Sequence, residues 1–354
     1  MAGKSDASGR GSGPAVDRLM ADAADLLGPV LLVDDLTFSN KATVVRLRVA
    51  GGTTMIAKQP RRREMFVREL EALRLLPATV RPALLASSSD LIVVEDLGSG
   101  PSLADLLLAN EQNAAAQALL GWAETLGHAL RATMREGQAA APEDIPAGVE
   151  GLKRLSAELD VEVAGGVDDD AALIADTLAR TGPWLAYCPS DTCPDNNRVA
   201  ADGSVRLFDF EGAGWRHAAL EAAYCLAPFC TCWCVARLPD GMTERMEEAF
   251  LAKLAPPDAV RFRKVVPLAA VSYTLVGFES WFPRFVLEDR PPGPPGVVPS
   301  TGRQYVYERL LAVAGLDAEL PALAKLAGDL AANIAWRWPE AAAMPLYPAF
   351  RSVC

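Results

Sequence analysis

The hydrophobic pattern of the first hundred residues predicts a small unit rich in strands. Between residues 30 and 58, short apolar runs are separated by the polar turns TFSNK and GGTT, which predicts three antiparallel strands. The period then changes, because apolar residues recur at helical spacing from Glu64 to Leu76, and Pro77 ends that run. The apolar run LIVVEDL at 91–97 predicts a further strand.

Beyond Gly100 the pattern becomes mostly helical. Four segments have helical spacing: Leu103 to Leu108, Ala114 to Glu136, Leu152 to Leu159 and Asp169 to Thr181. One feature typical of strands interrupts them, NRVAADGSVRLFDFE, whose Asp202-Gly203 pair suits a type I′ hairpin turn. The apolar stretch Val265 to Phe282 contains proline and polar residues, so it predicts a buried core helix and not a membrane span.

These elements predict an α+β protein with two lobes of unequal size. The chain has 354 residues, which exceeds the size at which single hydrophobic cores stop growing. The predicted division is a flexible N-terminus over 1–15, a small β-rich N-lobe over 16–97, a hinge linker over 98–101 and a large, mostly helical C-lobe over 102–354.

The charge balance narrows the classes of partner. The chain has 45 acidic and 34 basic side chains, a net charge of -11, which disfavours binding to nucleic acid or to an anionic membrane. The seven cysteines are an odd number, and the polar N-terminus has no apolar core of a secretion signal. We therefore expect reduced thiols and a cytoplasmic location. The sequence leaves the oligomeric state open.

Several polar residues follow one another in an order that has a chemical meaning. They are Lys58 at the end of the strand MIAK, Glu69 on the following helix, the EDLG segment between the lobes, Asp191 with Asn196 in PSDTCPDNN, and Asp209 at the end of the second hairpin strand. The predicted hairpin returns Asp209 to the neighbourhood of Asn196. The second half of the set is therefore expected to converge in space.

Phosphoryl transfer from ATP requires groups of these types. A lysine must contact the phosphates, an acid must hold that lysine, and a carboxylate must orient the attacking hydroxyl group. Oxygen ligands such as an amide and a carboxylate suit Mg²⁺, which is a hard cation. The residue types are therefore those that phosphoryl transfer from ATP requires.

The motifs resemble those of the aminoglycoside phosphotransferase family, within the protein-kinase-like fold that also includes choline and fructosamine kinases. The family's catalytic loop reads roughly H-G-D-x-x-x-x-N, and this chain has Pro189-Ser190-Asp191 followed by Asn196. The metal-binding triplet D-[WF]-[ED] corresponds to Asp209-Phe210-Glu211. The resemblance covers residues 30 to 225, and the rest of the chain follows only in general character.

For the nucleotide, the resemblance implies a Mg²⁺–ATP complex held mainly by the N-lobe. Lys58 would contact the ATP phosphates and pair with Glu69, although Glu71 competes for that role. The remaining implied contacts are backbone groups around Glu95 and Leu97 for the adenine and the Ser39-Asn40 turn above the phosphates.

For the chemistry, the resemblance implies Asp191 as the catalytic base, with Asn196 and Asp209 as Mg²⁺ ligands. The chain departs from the family pattern in its catalytic loop, where Pro189-Ser190 replaces His-Gly. It also has Glu221 where the family has the aspartate of an Asp-Leu-Ala motif. The turn TFSNK has no G-x-G-x-x-G signature.

Several other sequence features have both a structural and a functional interpretation. Cys230, Cys232 and Cys234 alternate with other residues and could bind a metal, but small buried hydrophobes are the simpler interpretation. His217 follows the metal triplet and is a candidate to approach the substrate. The acidic stretch 143–176 is either a solvated face or a surface for a cationic acceptor. Several aromatic residues favour core positions over an acceptor pocket: Trp233, Trp281, Phe282, Trp336, Trp338 and Tyr347.

The sequence therefore predicts an ATP- and Mg²⁺-dependent phosphotransferase that acts on a hydroxyl group of a small molecule. The leading acceptor class, by resemblance, is an aminoglycoside or another natural product, which would make antibiotic resistance the biological role. One alternative is a primary-metabolite kinase for choline, a sugar amine or homoserine. Another is a catalytically silent kinase-like protein that binds a peptide or a partner enzyme of a biosynthetic complex.

Overall fold

The N-lobe is a five-stranded antiparallel sheet with two helices, seen in a computed structural model that describes residues 13–227, 229 and 231–351. Its elements are α1 (Pro14–Leu27), β1 (Val30–Asp35), β2 (Ala42–Val49), β3 (Thr54–Pro60), α2 (Arg63–Leu75), β4 (Leu84–Ser87) and β5 (Ile92–Glu95). The strand order is β1-β2-β3-β5-β4. The predicted strands and the predicted helix are present, and β4 is an addition at the sheet edge.

Helix α1 is an element that the sequence analysis missed. Its residues Val16, Leu19 and Ala23 are buried at helical spacing and pack against one face of the sheet. Pro14 at the first helical turn suits a helix start. The prediction of a flexible segment over 1–15 is therefore wrong for residues 13–15, and the part over 1–12 lies outside the described residues.

The C-lobe is mostly helical. Its helices are α3 (Leu103–Leu108), α4 (Gln112–Arg131), α5 (Asp144–Glu158), α6 (Val167–Ala179), α7 (Ala219–Leu226), α8 (Met242–Leu254), α9 (Ala259–Ser280), α10 (Phe282–Leu287), α11 (Gly302–Ala314) and α12 (Pro321–Arg337). Its strands are β6 (Arg135–Gly137), β7 (Gly182–Cys188), β8 (Asn197–Val199), β9 (Val205–Leu207) and β10 (Gly214–His217). The α+β class and the division into a sheet lobe and a helical lobe are thus confirmed.

Two local predictions in the C-lobe are confirmed. Strands β8 and β9 form the expected hairpin, with Asn197 opposite Leu207. Gly203 has a φ of +83°, but Asp202 is not among the residues with positive φ, so the turn is not the predicted type I′ turn. Helix α9 is buried along much of its length and contains Pro267. In the part of the chain that the structure describes, no helix has the length and apolar content needed to cross a membrane.

The sheet of β10, β7 and β6 was not predicted. Strand β7 has the continuous apolar run WLAYC, and its side chains are buried by helices around it. A short apolar run of this kind does not distinguish a buried strand from a helix by its periodicity. The sheet matters for the site, because the candidate catalytic loop begins directly after β7 and β10 pairs beside it.

Candidate active site

A cleft of about 1340 Å³ separates the N-lobe sheet from the C-lobe helices. Most of the residues singled out from the sequence line it: Ser39, Lys58, Glu69, Glu95, Leu97, Asp191, Asn196 and Asp209. Asn40, which neighbours Ser39 in the β1–β2 turn, does not line the cleft. Residues far apart in the chain are therefore brought together by the folding of the two lobes.

Lys58 lies at the centre of the polar network in the cleft. Its Nζ atom is 2.5 Å from Glu69 Oε2 and 2.5 Å from Asp209 Oδ1. Strand β3 presents the lysine, helix α2 presents Glu69, and the segment after β9 presents Asp209. Glu71, the alternative partner, instead accepts a hydrogen bond from the Tyr187 hydroxyl at 3.3 Å.

Burial and charge act in opposite directions on this pair. Burial alone would lower the pKa of Lys58, but the charges of Glu69 and Asp209 outweigh it and hold that pKa above the ordinary value. Burial raises the pKa of Glu69 to about 7, against the opposing attraction of Lys58. The lysine therefore stays a cation with two carboxylates beside it.

The loop after β7 has an unusual backbone around Asp191. The φ angles of Ser190, Asp191 and Asp209 are 55°, 47° and 68°, a left-handed conformation that is costly for residues other than glycine. The Asn196 Nδ2 atom donates to the Asp191 carbonyl oxygen at 2.8 Å, which leaves Asn196 Oδ1 as the atom available to a cation. Burial and the nearby Asp209 raise the pKa of Asp191 to about 6.

Arg216 and Glu221 hold the loop where the chain lacks the family's His-Gly. The Ser190 backbone N–H donates to Glu221 Oε1 at 2.8 Å, and the Thr192 hydroxyl donates to the other carboxylate oxygen at 3.2 Å. Arg216 Nη1 donates to Ser190 Oγ at 2.9 Å, and its Nη2 donates to the Gly212 carbonyl. No local motif marks Arg216, so the sequence analysis missed it.

A second basic residue, Lys41, was also missed. Its Nζ atom is 2.6 Å from Glu211 Oε1, so an ion pair joins the start of β2 to the segment after β9. The hydrogen bond to Glu211 raises the pKa of Lys41. The Lys41 backbone N–H donates to Ser39 Oγ, which orders the turn predicted to cover the phosphates.

The side chains of the segment between the lobes form ion pairs with arginines of the protein. Glu95 pairs with Arg206 at 2.7 Å and also accepts from the Ala83 backbone N–H. Asp96 pairs with Arg46 at 2.8 Å and accepts from the Gly98 backbone N–H. Backbone groups are therefore what this segment offers to a nucleotide base.

His217 does not approach the cleft. The ring is buried against Trp184 and Phe262, and its Nδ1 accepts from the Ala219 backbone N–H at 3.0 Å. Burial lowers its pKa to about 4, so the ring is neutral at physiological pH. The hypothesis that His217 contacts substrate is wrong, because the side chain is a core residue.

Aromatic residues line the far side of the cleft, where the sequence favoured core positions. Trp233 and Trp281 both line it, while Phe282 and Tyr347 are fully buried as expected. Trp336 is 78% exposed, so its expected core position is wrong. No residue of the acidic stretch 143–176 lines the cleft, so that stretch forms no wall for an acceptor there.

The cysteines also differ from expectation. Cys193 and Cys232 form a disulfide, so the prediction of reduced thiols is wrong for this pair. Cys234 is a free, buried thiol, and Cys230 lies outside the described residues. Among the residues that the structure describes, no group of three or more His, Cys, Asp or Glu side chains is placed to hold a metal ion.

Solved structures with the same architecture are small-molecule kinases. Choline kinase from Cryptosporidium parvum Iowa II superposes with a TM-score of 0.55 at 11% identity, covering 88% of this chain and 99% of that one. Amicoumacin kinase in complex with AMP-PNP and Ca²⁺ gives 0.52 at 12% identity, covering 78% and 95%. A protein from Thermobifida fusca assigned as a fructosamine-3-kinase gives 0.51 at 16% identity, covering 75% and 93%.

These similarities establish the fold of the chain. No family model matches the sequence, and no curated protein matches it. The chain has the two-lobed kinase-like fold shared by choline kinases and other small-molecule kinases, so the resemblance read from its motifs is confirmed at the level of the fold.

Proposed function

We propose that the protein is an ATP- and Mg²⁺-dependent phosphotransferase that transfers the γ-phosphate to a hydroxyl group of a small molecule. The observation that carries this proposal is the meeting of Lys58, Glu69 and Asp209 in the same cleft as Asp191 and Asn196. Phosphoryl transfer depends on positioning and charge neutralisation, and these residues supply groups for both.

The donor set suits a hard cation. Asn196 Oδ1 and the Asp209 carboxylate would hold Mg²⁺, which neutralises phosphate charge when it is bound. The amide nitrogen of Asn196 is already engaged with the Asp191 carbonyl, so its oxygen is the free end of the group. The oxygen donors therefore fit magnesium better than a soft metal.

Asp191 has the position and the acidity of a base. The hydroxyl oxygen of the acceptor forms a bond to the γ-phosphorus, and the bond from that phosphorus to the oxygen of ADP breaks. Asp191 accepts the hydroxyl proton, and its pKa of about 6 keeps the carboxylate ionised near neutral pH. Lys58, cationic beside Asp209, would bind the phosphates of the nucleotide.

The lobe boundary, the cellular location and the acceptor class are part of the same proposal. We propose a lobe boundary at 98–101. We also propose a cytoplasmic location because ATP is available there; the Cys193–Cys232 disulfide removes the argument from reduced thiols. The motifs suggest two acceptor classes, alcohols of natural products such as aminoglycosides and alcohols of primary metabolites. The panel of acceptors in the test therefore includes both classes.

The test measures ADP formation and phosphorylated product with this panel, together with AMP-PNP binding. We expect Asp191→Ala to lower turnover by about 10²–10⁴-fold while AMP-PNP binding changes little. Asp209→Ala should lose Mg²⁺-dependent nucleotide binding as well. Asp240→Asn, an exposed carboxylate outside the cleft, is the control and should behave like the wild type.

The result that overturns the proposal is equally defined. If AMP-PNP binds but no acceptor is phosphorylated, and both variants preserve the biological function, the protein is a silent kinase-like binder. If wild-type protein fails to bind AMP-PNP with Mg²⁺, the assignment of the nucleotide side is wrong.

A further inference from the structure

The side of the cleft beyond Asp191 has a composition that the proposed reaction alone does not explain. We call it the acceptor wall, and it consists of Trp233, Trp281, Arg284, Phe285 and the loop 290–295. Three of its members are aromatic rings, and the loop is rich in proline. Such a wall buries planar apolar surface with little loss of side-chain freedom.

Trp233 is fixed beside the catalytic loop. Its Nε1 atom donates to Asp195 Oδ2 at 2.8 Å, and the preceding residue, Cys232, is joined to Cys193 by the disulfide. A Cβ atom on Gly293 would lie 2.9 Å from the Trp233 ring, so the proline-rich loop packs directly on this tryptophan. The wall is therefore continuous with the loop that carries Asp191.

The carboxylates of the cleft have partners within the protein. The pairs are Glu69 and Asp209 with Lys58, Glu211 with Lys41, Glu95 with Arg206, Asp96 with Arg46, and Asp195 with the Trp233 N–H. Asp191 is the carboxylate left for the reaction. Cations of the protein therefore pair with five of the cleft carboxylates, whereas Asp195 has a neutral N–H partner and Asp191 is the base.

The two arginines of the acceptor wall have the opposite character. Arg284 and Arg290 are exposed and line the cleft, and neither guanidinium makes an ion pair or a hydrogen bond within the described part of the chain. An exposed guanidinium in a cleft presents its donors in a fork that matches a carboxylate or a phosphate. These two arginines place unpaired positive charge on the acceptor wall, although the chain carries -11 overall.

We propose that the acceptor has a planar apolar body and an anionic group, a carboxylate or a phosphate, which Arg284 and Arg290 bind while the rings of Trp233 and Trp281 pack on the body. This inference rests on the proposed phosphotransferase function and specifies its substrate class. A polycationic aminoglycoside would bring ammonium groups against two unpaired guanidinium groups. Charges elsewhere on the surface are screened beyond roughly 8 Å, so the local arginines decide the preference.

The test uses three naphthalene probes of the same ring system and different charge: 1-naphthylacetate, 2-(1-naphthyl)ethanol and 2-(1-naphthyl)ethylammonium. Binding to the full-length protein is followed by tryptophan fluorescence with AMP-PNP and Mg²⁺ present. We expect the anion to bind about tenfold more tightly than the cation, the effect of one favourable charge contact. The neutral alcohol should lie between them.

Variants separate the arginines from general charge effects. The double variant Arg284→Gln/Arg290→Gln should bring the three affinities within about twofold of one another and leave AMP-PNP binding unchanged. The control Arg18→Gln/Arg245→Gln removes the same charge from exposed positions outside the cleft and should keep the preference for the anion.

Three results would overturn the inference: a cation that binds as tightly as the anion, an arginine double variant that keeps the preference, or no saturable binding of the anion. These outcomes are independent of the proposed function. Failure of ATP turnover with intact preference for the anion would remove the phosphotransferase and leave the anion site. Turnover of a cationic acceptor, with no preference for the anion among the probes, would support the phosphotransferase and remove the anion site.

Discussion

The nucleotide side and the acceptor side of the cleft differ in how their charges are satisfied. On the nucleotide side, Lys58, Lys41 and Arg46 each lie within 3 Å of a carboxylate of the protein. On the acceptor side, Arg284 and Arg290 have no such partner within the described residues. Most cations on the nucleotide side are paired with carboxylates before any ligand binds, with Arg198, which in the described part of the chain donates only to the Asn197 carbonyl, as the exception. On the acceptor side, both arginines are unpaired among the residues that the structure describes.

This difference separates two ways of recognising an anion in an acidic protein. The network around Lys58 fixes the positions of a few atoms, so ATP would be recognised by geometry and by the metal that accompanies it. The acceptor wall has rigid rings and free guanidinium groups, so the ligand itself must supply the opposite charge. The net charge of -11 says little about either side.

The largest effect is expected from removing Lys58, the cation at the centre of the ion pairs on the nucleotide side. Lys58→Met should lower turnover by about 10³-fold, because the phosphates lose their fixed cation. It should also lower the free energy of unfolding by about 1–3 kcal/mol, because Glu69 is only 6% exposed and its buried carboxyl loses its hydrogen-bond partner and must take up a proton.

A second change, at Glu69, separates the effect on turnover from the effect on stability. Lys58→Met/Glu69→Gln should recover stability at pH 8 in a denaturant titration but not turnover, because the neutral amide needs no proton when buried while the phosphate contact is still missing. A Lys58→Met enzyme within tenfold of wild-type turnover would contradict the role given to the paired side.

A smaller effect is expected from the Cys193–Cys232 disulfide, which joins the catalytic loop to the acceptor wall. Replacing the disulfide cysteines, Cys193→Ser/Cys232→Ser, should lower the free energy of unfolding by about 2–4 kcal/mol, because the cross-link closes a loop with a separation of 39 residues. It should weaken binding of 1-naphthylacetate, since Trp233 follows Cys232, and leave AMP-PNP binding unchanged. Dithiothreitol should likewise weaken 1-naphthylacetate binding by the wild type and have no effect on the double variant. If both proteins respond equally to dithiothreitol, the disulfide does not position Trp233.

The smallest effect concerns the cost of holding Asp191 in place. The folded protein raises its pKa to about 6 from 3.8, so the folded state binds a proton more readily than the unfolded chain. The resulting stability is full below pH 4 and is lost as the pH rises through about 6. Asp191→Asn should therefore be more stable than the wild type at pH 8 by about 1–3 kcal/mol.

The measurement is the free energy of unfolding at pH 5, 6 and 8 for Asp191→Asn, with Asp240→Asn as the control. The difference between Asp191→Asn and the wild type should grow with pH, while the control should follow the wild type. A difference independent of pH would mean that the burial of Asp191 costs no stability.

The sequence predicted the nucleotide side because its signals are local. Lys58 ends a strand, Glu69 lies on the next helix, and a two-strand hairpin returns Asp209 to the position of Asn196, so short-range rules place these residues. The roles of Asn40 and His217 at the site were not supported by their positions.

The acceptor side had no comparable signal. Trp233 and Trp281 were expected in the core, because an aromatic residue in an apolar stretch has the same pattern whether it faces a core or a cleft. The acidic stretch 143–176 was predicted to be either a solvated face or a surface for a cationic acceptor, and none of it lines the cleft. Asp170, in the first turn of helix α6, has a structural role instead, because its carboxylate accepts hydrogen bonds from two backbone N–H groups at the start of α12.

The sequence by itself determined the α+β class, the hairpin and the order of the polar groups that meet in the cleft, since strand alternation, helical spacing and turn chemistry act over a few residues. The tertiary structure alone decided the Arg216 brace on Ser190, the Cys193–Cys232 cross-link and the free arginines of the acceptor wall. Those contacts join positions tens of residues apart, and the packing of helices and loops that creates them leaves no periodic trace in the chain.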